Sequence, residues 1–228
     1  MNKCKVIDLG LSHYEEVRNL QEKIVEARLC GKSPDTLLLC EHYPVITLGR
    51  KKCKENLLVS DEFLKEKGIE IYQIERGGEA TCHCPGQLVG YPIFDLRSRG
   101  MDLHNFLRKI EEVILNALSE IGINGCRREG YTGVWFHNGS GFEKIAFIGI
   151  AIRKWVSYHG FSLNIDCDLT PFSWIVPCGL EGVRVTSVKK CQSGKVSENK
   201  AKKIKKKIIE NFEKVFELDY EEKVTTVA

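Results

Sequence analysis

Lys144-Ile-Ala-Phe-Ile-Gly149-Ile-Ala-Ile152 and, two residues later, Trp155-Val-Ser-Tyr-His159-Gly-Phe-Ser-Leu-Asn164-Ile165 carry the pattern that decides the fold. Both runs are rich in β-branched and aromatic residues. The second alternates Trp155, Ser157, His159, Phe161 and Leu163 against Val156, Tyr158, Gly160, Ser162 and Asn164. A period of two is that of a strand, whose successive side chains point to opposite faces. Consecutive strands follow, joined by a hairpin near Arg153-Lys154, and Tyr131 to Phe136 reads as another. Each long run also holds a glycine, Gly149 and Gly160, and glycine inside a strand often marks close approach of a ligand or a second backbone. Two neighbouring gaps of this kind predict a slot for something slender.

Outward from these strands, helices alternate with short strands. From Met101 to Ile121 apolar residues recur at a 3.6-residue period, with Asp102 as N-cap and Gly122 beyond the end. Ser12-His13-Tyr14-Glu15 has the form of a capping box opening a helix over about 13–29, which Gly31 stops. A shorter helix is expected from Ser60 or Asp61 to Gly68. Leu37 to Cys40 and Val45 to Leu48, around Pro44, suit two strands or a strand and its turn, and Ile69 to Ile74 reads as a strand. After Ser197, Ile204, Ile208, Phe212, Val215 and Phe216 share one face of a lysine-rich helix over about 197–217. No repeat or low-complexity linker interrupts the order, so a single α+β domain over 1–228 is the economical reading.

Length and composition agree with that reading. The 228 residues suffice for a sizeable core, and 43% hydrophobic with 29% charged residues is ordinary for a globular chain. A formal charge of +3 gives no case for nucleic acid by itself. No run of eighteen apolar residues occurs, which excludes a spanning helix, and the N-terminus lacks a secretory or transit signal. A cytoplasmic location is the expectation. The ten cysteines are scattered without a CxxC pair, and are read as reduced thiols.

Three places could carry chemistry. Arg76-Gly77-Gly78-Glu79-Ala80-Thr81-Cys82-His83-Cys84-Pro85-Gly86-Gln87 follows a strand, and its adjacent glycines let backbone N–H groups approach an acceptor; as mere punctuation it would be a turn. Cys82-His83-Cys84 lacks a second ligand pair at a zinc spacing, so no metal is expected. Pro177-Cys178-Gly179 sets a thiol between two turn formers, at a strand end or loop. A thiol with an ordinary pKa near 8.5 is only about 3% thiolate at pH 7, so a nucleophilic role requires a nearby cation. Lys144 opens an apolar strand, where a lysine is ordinarily a solvated end or a guard against edge pairing.

Five ordered segments together resemble the lipoyl (octanoyl) transferases, the LipB family. They are Arg76-Gly-Gly-x-x-Thr81-x-His83-x-Pro85-Gly86-Gln87, Thr132-Gly-Val-Trp135, Lys144-Ile-Ala-x-Ile-Gly149, Ser157-x-His159-Gly-Phe-x-Leu-Asn164 and Pro177-Cys178-Gly179. The resemblance runs from about Leu37 to Val188. It implies the fold of the biotin and lipoate protein ligases, a mixed β-sheet flanked by helices. It further implies an octanoyltransferase of lipoate biosynthesis, needing no cofactor, that moves an octanoyl group from acyl carrier protein to a lysine of a lipoyl domain. The acceptors implied are the E2 subunits of 2-oxoacid dehydrogenases and the H protein of glycine cleavage, with neither nucleic acid nor membrane as partner. The family's catalytic pair maps onto Cys178, which would hold the acyl group as a thioester, and Lys144. Its substrate-binding segments map onto Arg76, Gly77, Gly78, Glu79, Ala80, Thr81, Cys82 and His83, onto Phe147, Ile148 and Gly149, and onto Gly160, Phe161 and Ser162. Two departures stand out: Cys84 replaces the glycine of the family's His-Gly-Pro-Gly, and Cys82 replaces a common aromatic.

Two alternatives remain at this stage. An ATP-dependent lipoate-protein ligase would also place a lysine at 144, but would need no thiol at 178. A non-enzymatic metal or nucleic-acid module would use Cys82, Cys84 and the tract from Lys189 to Lys207, with nine lysines and one glutamate. The amphipathic continuation of that tract favours a solvated helix face.

Overall fold

The computed structural model describes residues 2–50, 54–179, 182–194 and 196–225. In chain order the elements are β1 (Asn2–Ser12), α1 (Tyr14–Leu29), β2 (Asp35–His42), β3 (Val45–Leu48), α2 (Asp61–Glu66), β4 (Glu70–Gln73), β5 (Ala80–His83) and β6 (Gln87–Ile93). They continue as α3 (Leu103–Ser119), β7 (Gly125–Arg128), β8 (Tyr131–His137), β9 (Phe142–Arg153), β10 (Val156–Asn164), β11 (Arg184–Val185), α4 (Val188–Cys191), α5 (Glu198–Phe216) and β12 (Leu218–Thr225). The large sheet runs in the order β12-β1-β2-β6-β10-β9-β8-β7, with β11 beside β9, and a small sheet has the order β4-β3-β5. β1 is parallel to both β2 and β12, whereas β6, β10, β9 and β8 pair antiparallel. The sheet is mixed, as the resemblance implied.

Helices cover both faces of its centre, which is why β2 is a continuous apolar run and not an alternating one. Leu37 and Leu39 face a cluster built with Ile110, Ile114, Ile208, Phe212 and Phe216 of α3 and α5. Leu38 and Cys40 face the other way, onto Val17 and Val25 of α1. The small sheet packs through Ile46, Leu48, Ala80 and Cys82 on Phe147, Phe172 and Ile175. A cleft is left where this second layer meets β9 and β10. Among the described residues no helix is long and apolar enough to cross a membrane.

The β9–β10 hairpin turns at Lys154 and Trp155, both with positive φ, between the paired residues Arg153 and Val156. That is the two-residue turn whose twist matches its strands. Asp102, Ser60 and Ser197 cap α3, α2 and α5 through their side chains. The capping box at Ser12 does not form: Ser12 pairs with His42 at the end of β1, its hydroxyl donates to the Leu9 carbonyl, and α1 starts from His13 without a side-chain cap. Strand pairing outcompetes the cap. Part of the 76–87 segment, expected as a loop, is strand β5, and β1, β6, β7 and β12 carried no strand reading in the sequence. Within the Lys189–Lys207 tract, Lys195 lies outside the described residues, and Ile204 and Ile208 are buried while Lys202 and Lys206 are solvated.

Phe212 stacks on Phe161 and Phe216 and meets Phe94 edge-on, so it joins α5 to the sheet. Phe212→Ala is expected to lower stability by about 3–5 kcal/mol through the cavity it leaves. A urea midpoint within about 1 kcal/mol of the parent would refute that role.

Candidate active site

Lys144 and Cys178, 34 positions apart in sequence, meet: the ammonium Nζ lies 3.7 Å from the sulfur. Lys144 is only 2% exposed, although it stands at a strand position where a solvated end was the default expectation. Its charge is held by the Thr132 carbonyl at 2.8 Å and by two rings, Trp135 at 5.0 Å and Phe147 at 5.1 Å. Rings and a carbonyl stabilise a cation without neutralising it. Among the described residues no carboxylate pairs with it, so its field is directed at the sulfur.

The thiol is presented by a strained turn. Cys178 has φ +55°, and Gly179 follows with φ +65°. Two consecutive left-handed residues cost free energy, of order 1–2 kcal/mol for the cysteine, and persist only where the surroundings enforce them. Here Cys178 N donates to the Ala80 carbonyl and Gly179 N to the Val176 carbonyl. Gly179 must be glycine for a second reason, since a Cβ there would fall on the Glu79 carboxylate. That carboxylate is fixed by Asn56 Nδ2 at 2.9 Å, and the Asn56 carbonyl accepts from Val176 N at 2.8 Å. Asn56 was not singled out in the sequence, because nothing in its local pattern marks a contact over a hundred positions away.

Gly149 and Gly160, from which a slot was expected, are each required by the close approach of a second backbone, and both line a cleft. The two glycines are directly opposite each other in the β9–β10 pair. Gly149 lies under Arg76 and Gly77, where a Cβ would sit 2.8 Å from the Gly77 carbonyl, and a Cβ at Gly160 would overlap the Gly90 carbonyl. The cleft they line is narrow, with about 40 Å³ of free volume. Of the residues named from sequence, Arg76, Gly77, Gly78, Thr81, His83, Phe147, Ile148, Gly149, Gly160, Phe161, Ser162 and Cys178 line it. Ala80 and Cys82 do not: strand alternation in β5 turns them to the opposite face, into the small-sheet core. Glu79 serves the cysteine turn instead. Tyr14, Ile74, Val89, Tyr91 and His159 complete the lining.

Arg76 is a buried clamp for the loop. Its guanidinium donates to Thr47 O at 2.6 Å, to Glu79 O at 2.7 Å and to Gly77 O at 3.1 Å, as well as to the Thr47 hydroxyl. Gly77 N donates to Ile150 O. Thus Gly77, Cys178 and Gly179 have their N–H groups committed to carbonyls, which leaves the Lys144 ammonium as the cationic donor beside the sulfur. His83 Nδ1 bonds Gln87 Oε1 at 2.6 Å, and the Gln87 amide nitrogen is held by Asn164. Cys82 faces the core, His83 the cleft, and the Cys84 sulfur bonds the Asp168 carbonyl, so the tripeptide does not converge on one ion. Cys84 is not among the residues with positive φ; Gly86, at +83°, takes that conformation, and a sulfur at 84 costs the loop nothing.

The residues 13–213 match the model of the lipoyl protein ligase A/B catalytic domain, and the chain belongs to that family. An octanoyltransferase of Caldicellulosiruptor saccharolyticus is 46% identical over 196 residues, covering 85% of this chain and 82% of its own. An octanoyltransferase of Caldicellulosiruptor bescii is 49% identical over 184 residues, 80% and 79% of the two chains. The chain is accordingly an acyltransferase of the octanoyltransferase group. A putative lipoate protein ligase of T. acidophilum, solved with bound lipoic acid, shares the fold with a TM-score of 0.73 at 18% identity, over 98% of this chain and 90% of its own.

Two consequences can be measured. Burial pushes His83 and His159 down to about 3 and His42 to about 4, against an unfolded value near 6.5. Below pH 6.5 the unfolded chain therefore binds protons that the native state excludes. The stability these histidines provide is complete above pH 6.5 and is lost as pH falls toward 4 and 3. The urea midpoint should drop steadily from pH 7 to pH 5, and a flat profile would contradict the buried neutral rings. Secondly, Gly133 has φ +112°, and a Cβ there would lie 2.6 Å from the Ala146 carbonyl and 2.8 Å from Lys144 Cε. Gly133→Ala should displace the ammonium and slow alkylation of Cys178 by iodoacetamide about tenfold at pH 7. An unchanged rate would disconnect the two side chains.

Proposed function

We propose that the protein transfers an octanoyl group from the thioester of an acyl carrier protein to a lysine of a lipoyl domain, with Cys178 as the intermediate carrier. The observation that supports this best is the 3.7 Å contact between Lys144 Nζ and Cys178 Sγ at the edge of a narrow glycine-lined cleft. An ammonium at that distance is placed to stabilise negative charge as it develops on the attacking and leaving groups. The carbons of the acyl chain would lie along Phe147, Gly149 and Gly160, over surface that accepts apolar groups.

The chemistry has two halves. The Cys178 thiolate attacks the thioester carbonyl, the tetrahedral oxyanion forms beside Lys144, and the bond to the carrier's sulfur breaks. Lys144 gives its proton to that leaving sulfur and becomes a neutral amine. The acceptor lysine then attacks the octanoyl-Cys178 thioester, Lys144 takes back a proton from the attacking nitrogen, and the Cys178 thiolate departs. The ion pair is thereby restored. Conversion of a thioester to an amide runs downhill, so no ATP is required. Lipoyl domains of 2-oxoacid dehydrogenase E2 subunits and the glycine cleavage H protein are the acceptors this reading assigns, in the cytoplasm.

The ATP-dependent ligase reading shares the fold and the lysine, so neither separates the two. The strained cysteine beside the ammonium favours the transferase. Incubated with octanoyl carrier protein and no acceptor, the wild type should gain one octanoyl group, mapped to Cys178 by intact-mass and peptide analysis. Cys178→Ser should lose the adduct and at least about 10³-fold in turnover. Lys144→Met should retain the fold and lose roughly 10²–10⁴-fold. Full octanoylation by Cys178→Ser in the presence of ATP and free octanoate would decide for the ligase.

A further inference from the structure

A second cleft, of about 510 Å³, lies at the cysteine turn; Gly179 lines it, together with Arg128, Tyr131, Trp135 and Phe142. Cys178 borders the inner cleft and the next residue borders the outer one, so the sulfur stands at the boundary. The two spaces differ in chemistry. The inner one is narrow and glycine-lined, whereas the outer one is an aromatic platform with a cation on it.

Arg128 supplies that cation. Its guanidinium lies 4.3 Å from the Tyr131 ring centroid, 5.2 Å from Trp135 and 5.6 Å from Phe142. Among the described residues no carboxylate pairs with it. Ring stacking orients a guanidinium while leaving its N–H edge able to receive an oxyanion. Trp135 is fully buried beneath this guanidinium, and its Nε1 has no acceptor among the described residues. Trp135 also carries Lys144 on its ring at 5.0 Å, so one side chain links the outer cleft to the reacting pair.

We infer that the outer cleft seats the phosphopantetheine arm of the carrier-protein donor, with Arg128 pairing the phosphate of the arm. This rests on the transfer reading above and extends it to the leaving half of the thioester. When Cys178 attacks, the acyl half must point inward and the arm outward, past Gly179. The arm is a chain of amides ending in a phosphodiester. Its one permanent charge is complementary to Arg128. When extended it is longer than the stack from the sulfur through Lys144 and Trp135 to Arg128, so it reaches the guanidinium without strain.

The test compares two small donors, octanoyl-4′-phosphopantetheine and octanoyl-pantetheine, alongside octanoyl carrier protein. The wild type should show a KM about tenfold lower for the phosphorylated small donor. Arg128→Gln should erase that preference and raise KM for octanoyl carrier protein about tenfold, with kcat changed much less. Arg128→Lys, which keeps the charge and loses the fork, should restore part of the preference. Equal KM values for the two small donors on the wild type would overturn the inference. So would an Arg128→Gln enzyme that loses thermal stability and kcat alike on both donors, the mark of a packing role. Absence of any octanoyl adduct on wild-type Cys178 from all three donors is a distinguishable result, which brings down the covalent reading and this one with it.

Discussion

A lysine ammonium buried without a carboxylate partner among the described residues is the constraint around which the site is arranged. Such a charge is tolerable only where its hydration is replaced, and here one carbonyl and two aromatic faces do that. A paired carboxylate would have lowered that cost further, and would also have cancelled the positive field before it reached the sulfur. Gly133, with no Cβ, lets the stem of the lysine pass, and its N–H is anchored by the buried Glu111, itself held by Arg108 and Arg127. The polarity of the site is thus set up by residues that never approach a substrate.

The other half of the pair is a cysteine in a backbone conformation that cysteine does not favour. Strain at Cys178 is sustained by hydrogen bonds to Ala80 and Val176 and by the fit of Gly179 against Glu79. Asn56 and the small sheet brace that arrangement from behind. The result is a thiol on a rigid corner, beside an ammonium, at the point where a narrow inner cleft meets a broader aromatic one. A thioester substrate has the same two-sided character, an apolar acyl chain and a polar arm joined at one sulfur.

The inner cleft illustrates how much of a site can be read from local pattern. Gly149 and Gly160 stood out because glycine is unfavourable in strands, and their direct opposition across the β9–β10 pair makes one gap out of two. Cys82 and Ala80 were assigned to the cleft with their neighbours and lie instead in the core. A segment taken as loop has no faces, whereas the strand it forms sends alternate side chains apart. The capping box at Ser12 failed for a similar reason, a pairing with β2 that local sequence does not announce. Tyr14, Asn56 and Glu111 went unrecognised because each acts through contacts tens of positions away.

By itself the sequence determined the strands β8 to β10, the helices α1, α3 and α5 with the Asp102 cap of α3, the glycines of the paired strands and the five ordered segments that mark the family. All of these depend on periodicity, backbone freedom or the order of residues along one stretch of chain, which are local properties. Only the tertiary structure decided that Lys144 is buried and faces Cys178, that Arg76 holds its own loop, and that Arg128 lies on the rings of Tyr131, Trp135 and Phe142. Those outcomes depend on what surrounds a side chain in space. Burial, ion pairing and strain are created by residues far away in the chain, and no short window of sequence contains them.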